Sequence, residues 1–154
     1  MTKSSLQHRY AAKSICYGCG PANPQGLQIQ SFVEGDLVLA HFTPKIHHNA
    51  FPNVLNGGII GTLLDCHCNW AASWFLMQNQ GLDAPPCTVT ADYAIKLKRP
   101  TPMNTDLTLK ARLITIDGQR AQIEGELIAN GKVCATCLGN FVAIDETHPA
   151  FHRW

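Results

Sequence analysis

The sequence predicts an α+β domain in which a curved antiparallel β-sheet wraps around one long central α-helix. The stretch from Asn53 to Met77, NVLNGGIIGTLLDCHCNWAASWFLM, is long and apolar enough for a mostly buried helix. Strand-like runs follow it, and their alternation of apolar and polar residues is typical of a sheet with one wet face. The other, apolar face of the sheet has to be buried against another element, and the long apolar helix is the one available.

The strands are predicted from β-branched and aromatic runs bounded by turn residues. Before the helix, Gly26–Val33 and Leu37–Phe42 form a hairpin across the turn Glu34-Gly35-Asp36. After the helix, Asp117-Gly118 and Asn130-Gly131 mark two further hairpin turns. The later runs are Cys87–Leu97, Asp106–Ile116, Arg120–Ala129 and Lys132–Ile144.

Two of these runs show which face of the predicted sheet is buried. Leu107, Leu109, Ala111 and Leu113 share one face of their strand. Ile123 and Leu127 do the same on the next strand. These residues are therefore predicted to pack on the helix.

The 154 residues fit one domain, predicted over 1–154 with residues 1–15 poorly ordered or peripheral. Twelve Lys and Arg against eleven Asp and Glu leave a net charge of +1, which excludes an electrostatic surface for nucleic acid or a membrane. The N-terminus lacks the apolar core of a secretory signal, so a soluble, cytoplasmic protein with reduced cysteines is expected. The tail, residues 146–154, is predicted to be irregular.

Asp65 is the only fully charged residue between Ile46 and Leu82, histidines aside. It lies on a narrow helical stripe of small and polar residues, whose members are Gly58, Gly61, Thr62, Asp65, Asn69 and Ser73. An unpaired buried carboxylate costs several kcal/mol. Asp65 is therefore paired, hydrated or used for chemistry, although a stripe that faces water or a structural hydrogen bond fits equally well.

Gly57 and Gly58 open the helix, where backbone N–H groups lack intrahelical partners. Glycine lets a ligand oxygen approach these groups closely, so a substrate carbonyl could dock there with Asp65 acting on it. The alternative is an ordinary loop-to-helix junction with tight packing.

Three segments, CYGCGPANPQGLQI, FPNVLNGGIIGTLLD and TVTADYAIKLKRPTP, resemble the hotdog-fold acyl-CoA thioesterases of the PaaI-like branch. The resemblance runs from about Cys16 to Ile144 and implies the same helix-in-sheet fold. It also implies a glycine N–H that polarises the thioester carbonyl, here Gly58, and an acid nine residues after a His, here Asp65. Thr90 of a neighbouring subunit would place the attacking water. A homodimer, which could pair into a homotetramer, is implied too.

The sequence departs from the family where that His is expected, because the motif reads Asn56-Gly57-Gly58. Asn can cap the helix and donate a hydrogen bond, but it cannot take up a proton near neutral pH. The remaining substrate-binding candidates are Asn49, Gly57, Thr62, Asn69, Lys98 and Arg99. Lys98 and Arg99 would hold the phosphates of coenzyme A, or would form a solvated strand end.

No cofactor is expected beyond coenzyme A as part of the substrate, and no metal. Cys134 and Cys137 would point to opposite faces of one strand, and Cys66 is expected to fill core space. The pair Cys16 and Cys19 could provide at most half a metal site. Two other functions stay open: an acyl-CoA or acyl-lipid binding module without catalysis, and a hotdog hydratase or dehydratase, for which Asn56 supplies no catalytic His.

Overall fold

The computed structural model describes residues 3–151. Within these residues, two helices, α1 and α2, and eight strands, β1 to β8, follow in chain order with one short 3-10 turn at Ile46–His48. Their bounds are α1 Leu6–Tyr10, β1 Ser31–Glu34, β2 Leu37–Phe42, β3 Asn49–Phe51, β4 Val54–Leu55, α2 Gly57–Gln80, β5 Thr88–Leu97, β6 Leu107–Asp117, β7 Arg120–Ala129 and β8 Lys132–Ala143.

Six strands form one curved antiparallel sheet in the order β1-β2-β6-β7-β8-β5, and β3 and β4 form a separate small hairpin. The predicted buried face is confirmed for Leu107, Leu109, Ala111, Ile123 and Leu127, which are all fully buried in one core cluster with residues of α2. Leu113 is only half-buried and packs against the edge of this cluster, where the pairing of β6 with β7 becomes irregular. The predicted fold, one long helix covered by an antiparallel sheet, is therefore confirmed.

Capping residues terminate helix α2 at both ends. Asn56 Oδ1 accepts hydrogen bonds from the Gly58 N–H at 2.7 Å and the Ile59 N–H at 3.3 Å, which satisfies two N–H groups of the first turn. At the other end, Gly81 takes a left-handed conformation with φ 64°, and the Leu82 N–H then reaches Met77 O at 3.0 Å. The helix is accordingly shorter at its start and longer at its end than the predicted stretch.

The N-terminal part differs from the expectation. The run predicted as a strand from Gly26 becomes one only at Ser31, because Gln28 has φ 52° and the Gly26 N–H closes a turn on Asn23 O. Residues expected to be peripheral include α1, in which Gln7 is fully buried and bonded to Ser31 through both its amide oxygen and its amide nitrogen. These tertiary hydrogen bonds have no periodic signature in the sequence.

Among residues 3–151, no helix is long and apolar enough to cross a membrane. The chain runs through turns from Glu146 to Phe151. The remainder of the irregular tail predicted from the sequence, residues 152–154, lies outside the described residues.

Candidate functional site

Asp65 is half-buried on α2 and is hydrogen-bonded to β5 of the same chain. The Thr90 hydroxyl donates to Asp65 Oδ1 at 2.7 Å. We expected Thr90 to reach the site from a neighbouring subunit, but β5 already packs along α2 within one chain. The carboxylate is thus oriented by a hydroxyl group of its own chain.

A cavity of about 340 Å³ lies beside this pair. Asp65, Thr90 and Asn69 line it together with the N-terminal segment and Trp70; the remaining lining residues are Ser14, Ile15, Cys16, Cys19 and Cys66. Asn69 donates to Thr88 O at 3.4 Å, while its Oδ1 is buried without a hydrogen-bond partner in the described part of the chain. Such an unpaired acceptor costs about 1–3 kcal/mol, and sites of this kind often have a functional explanation.

Of the two glycine N–H groups at the start of α2, one is already hydrogen-bonded within the chain. The Gly58 N–H, predicted as the carbonyl donor, is bonded to Asn56 Oδ1 at 2.7 Å. Within residues 3–151 the Gly57 N–H has no hydrogen bond, and Gly57 is exposed. In this conformation Gly57 therefore offers the accessible amide, and Gly58 becomes available only when Asn56 turns away.

Helix geometry separates these amides from Asp65. Asp65 follows Gly58 by seven residues (65 − 58), so at a rise of about 1.5 Å per residue the two lie roughly 10 Å apart along the axis. A carbonyl bond is only about 1.2 Å long. The axial separation is therefore several times the length of a carbonyl bond.

The other predicted residues fall into separate places. Gly57, Lys98 and Arg99 line a second cavity of about 430 Å³. Asn49 lines a third, of about 330 Å³, that contains none of the other candidates. Thr62 donates to Gly58 O at 3.0 Å, inside the helix. The structure thus groups Asp65, Thr90 and Asn69, groups Gly57 with the two basic residues, and brings Asn49 to neither group.

Sequence reasoning missed a cluster of three thiols in the wall of the Asp65 cavity, hereafter the cysteine cluster: Cys16, Cys19 and Cys66. Their Sγ atoms all lie within 4.8 Å of one another, and Cys16 and Cys66 are 3.7 Å apart. Hydrogen bonds from Cys19 and Cys66 hold the pKa of the Cys16 thiol well below its usual value. The available signal was the C-x-x-C spacing, but nothing in the sequence indicated that Cys66 would meet it.

The fold is that of a known class of proteins. No protein-family model and no curated protein matches this chain. Among solved structures, it is 30% identical to a thioesterase superfamily protein from Shewanella loihica PV-4, with a TM-score of 0.67 over 81% of this chain and 98% of that one. The chain therefore belongs to the hotdog-fold thioesterase superfamily.

Two more distant structures share the fold alone. The PaaI protein from the phenylacetic acid degradation operon of E. coli is 19% identical, with a TM-score of 0.65 over 77% of this chain and 81% of that one. A thioesterase from Haemophilus influenzae is 18% identical, with a TM-score of 0.67 over 80% and 82%. The resemblance predicted from the three sequence segments is confirmed for the superfamily, and PaaI shares its fold.

Proposed function

We propose that this protein hydrolyses an acyl-CoA or a related thioester to a free acid and a thiol. One observation carries the proposal: Asp65, half-buried and oriented by Thr90 at 2.7 Å, lines a cavity of about 340 Å³. Cavities of this size accept small organic groups, and a carboxylate held by a hydrogen bond can act as a nucleophile or a general base. Family membership supports the same reaction class.

In the proposed reaction, Asp65 either attacks the thioester carbon or removes a proton from the water that does. The carbonyl oxygen becomes negatively charged and accepts a hydrogen bond from a helix N-terminal amide. The C–S bond then breaks, the thiolate takes up a proton, and water supplies the new oxygen of the acid. No cofactor takes part, because coenzyme A enters and leaves as part of the substrate.

The amide donor comes from a second copy of the chain in this proposal, because one helix separates the glycine pair from Asp65 by roughly 10 Å. Gly57 N–H is the first donor, and Gly58 N–H joins it when Asn56 releases. Strand β5 supports the pairing, since it is a ten-residue edge strand with exposed residues at positions 91–94. An edge of this length offers unpaired backbone groups to a partner strand.

Lys98 and Arg99 are the proposed contacts for the phosphates of coenzyme A. Both are exposed and line the cavity that also contains Gly57. A carbonyl docked at the glycine amide would therefore have its coenzyme near two positive charges, which is the arrangement that charge-assisted phosphate binding needs.

A non-catalytic acyl-CoA binding module is the second candidate. It is favoured by the contact between Asn56 and Gly58 N–H, which occupies one of the two amides that catalysis would use. A hydratase finds less support, because Asn56 supplies no catalytic His, and His67 on the same helix is fully buried and bonded on both ring nitrogens, to Ser31 and to Val38 O.

The first experiment measures coenzyme A release from short, medium, long and aromatic acyl-CoAs by wild type, Asp65→Asn and Asp83→Asn. Free coenzyme A is quantified by chromatography, because the seven cysteines of the protein would react with a thiol dye. Loss of a nucleophile or base should lower kcat by about 100-fold or more in Asp65→Asn. Asp83 is exposed, so its variant should keep full activity.

Equal activity in wild type and Asp65→Asn would overturn the catalytic role of Asp65. If wild type cleaves none of these thioesters but binds them in calorimetry, the binding-module function replaces the hydrolase. Circular dichroism of each variant confirms that a loss of activity is not a loss of fold.

A further inference from the structure

The spacing of the cysteine cluster matches the coordination geometry of zinc. A tetrahedral zinc ion with Zn–S bonds of about 2.3 Å holds its sulfur ligands about 3.8 Å apart. Cys16 Sγ and Cys66 Sγ are 3.7 Å apart, and Cys19 Sγ lies within 4.8 Å of both. All three separations are therefore within about 1 Å of the spacing that zinc requires, or shorter.

The backbone around the first two thiols is built to hold them in place. The Gly20 N–H bonds Cys16 O at 2.8 Å, so residues 16–20 form a closed turn that brings Cys16 and Cys19 together. Gly18 lies between them against α2, and a Cβ there would stand only 2.3 Å from Cys66 Sγ. A side chain at this position would therefore force either the turn or the Cys66 side chain to move.

We propose that Cys16, Cys19 and Cys66 bind a Zn²⁺ ion that fastens the N-terminal segment to helix α2 in the wall of the Asp65 cavity. The C-x-x-C spacing supplies two ligands and the helix supplies the third. Each thiol releases its proton as it binds, and water from the cavity completes the tetrahedron. This inference revises the expectation of no metal, and it does not depend on thioester hydrolysis.

The test uses the full-length protein, purified under reducing conditions without chelators, with Zn²⁺ and Co²⁺ as the probes. Zinc content is measured by mass spectrometry, and Co²⁺ substitution is followed by the sulfur-to-cobalt charge-transfer bands and the tetrahedral ligand-field bands. We expect about one equivalent of zinc per chain and both sets of bands.

Cys16→Ser, Cys19→Ser and Cys66→Ser should each lose the bound zinc and the charge-transfer bands. Cys134→Ser is the matched control, because Cys134 belongs to the other C-x-x-C pair and its Sγ contacts Lys132 O at 3.6 Å, outside the cluster. The control should keep about one equivalent. Retention of zinc by all three cluster variants would show that the metal is held elsewhere and would overturn the proposal.

Wild type that binds neither ion under reducing conditions would also overturn it. Asp65→Asn separates this proposal from the hydrolase: the variant should lose activity but keep the zinc and the cobalt bands, since Asp65 is not one of the three ligands. A variant that lost the charge-transfer bands together with activity would contradict the three-thiolate site as assigned.

Discussion

Asn56 combines two roles that oppose each other at the start of α2. Its Oδ1 caps the helix by accepting from the N–H groups of Gly58 and Ile59. The Gly58 amide is therefore satisfied internally and is not free to polarise a carbonyl. A residue that stabilises the helix thus lowers the number of donors that the proposed site can present.

Substitutions at Asn56 should separate these two roles. Asn56→Ala should lower the free energy of unfolding by about 1 kcal/mol, because Ala supplies no cap, whereas Asn56→Gly should cost only a few tenths of a kcal/mol. Urea unfolding measures both, with Asn104→Ala at an exposed loop position as the control. Both variants free the Gly58 N–H, so a change in kcat that the two share reports on that amide. If Asn56→Ala is as stable as wild type, Asn56 does not stabilise the helix as a cap.

Lys98 and Arg99 give a second prediction at the scale of single residues. Lys98→Gln and Arg99→Gln should each raise KM for acyl-CoA about five- to tenfold, since an exposed ion pair contributes about 1 kcal/mol. Acyl-pantetheine lacks the nucleotide phosphates, so its KM should not change.

Lys110→Gln is the matched control for this pair, because Lys110 is an exposed lysine on β6. A rise in KM for both substrates, or in the control, would point to a general effect on the surface rather than to phosphate binding.

At the scale of elements, a buried hydrogen-bond chain joins α1, β1, α2 and β2. Gln7 Nε2 donates to Ser31 Oγ at 3.0 Å, and Ser31 Oγ lies 2.8 Å from His67 Nδ1. His67 Nε2 lies 2.8 Å from Val38 O, which can only accept, so the proton is on Nε2 and Nδ1 accepts from Ser31. His67 is thereby assigned a structural role in its neutral form.

The buried His67 should make folding dependent on pH. Burial lowers its pKa from 6.5 to about 4, although the hydrogen bond to Val38 O opposes the shift. A lowered pKa means that the unfolded chain binds the proton first, so this stability is complete above pH 6.5 and is lost as the pH falls towards 4. The loss should amount to about 3 kcal/mol across that window.

Urea unfolding between pH 4 and pH 7.5 measures this effect for wild type, His67→Gln and the exposed-site control His41→Gln. His67→Gln should remove most of the slope, about 1.4 kcal/mol per pH unit, whatever its stability at neutral pH. The same slope in wild type and His67→Gln would contradict the assignment, and His41→Gln should keep the wild-type slope.

At the scale of the whole molecule, the proposed site needs two chains, and mixing two inactive variants tests this. Gly57→Pro removes the proposed amide but is tolerated at the first helical position, and Asn56 has the extended ψ of 133° that a following proline requires. When Gly57→Pro is mixed and refolded with Asp65→Asn, the mixture should recover about a quarter of wild-type activity. Half of the dimers then contain one chain of each variant, and one of the two sites in each of these dimers is intact.

If the Gly57 amide and the Asp65 carboxylate act within one chain, mixing the two variants should restore no activity. Every site then lacks one of these two groups. Full activity of Gly57→Pro alone would contradict the assignment of its amide as the donor. Sedimentation of each variant gives the oligomeric state, so that a failure to recover is not confused with a failure to associate.

The sequence by itself determined the elements and their faces, because periodicity and turn chemistry act over a few residues. It placed Asp65 in the middle of a buried helix and predicted the strands of β2 and β7 to the residue. It also predicted the cap at Asn56, a local contact of two and three residues.

Only the tertiary structure decided which distant residues meet. Thr90 reaches Asp65 within one chain, Cys16 and Cys19 meet Cys66 across α2, and Gln7 pairs with Ser31. These contacts join positions 24 to 50 residues apart, and their energies depend on how the segments pack rather than on any local pattern.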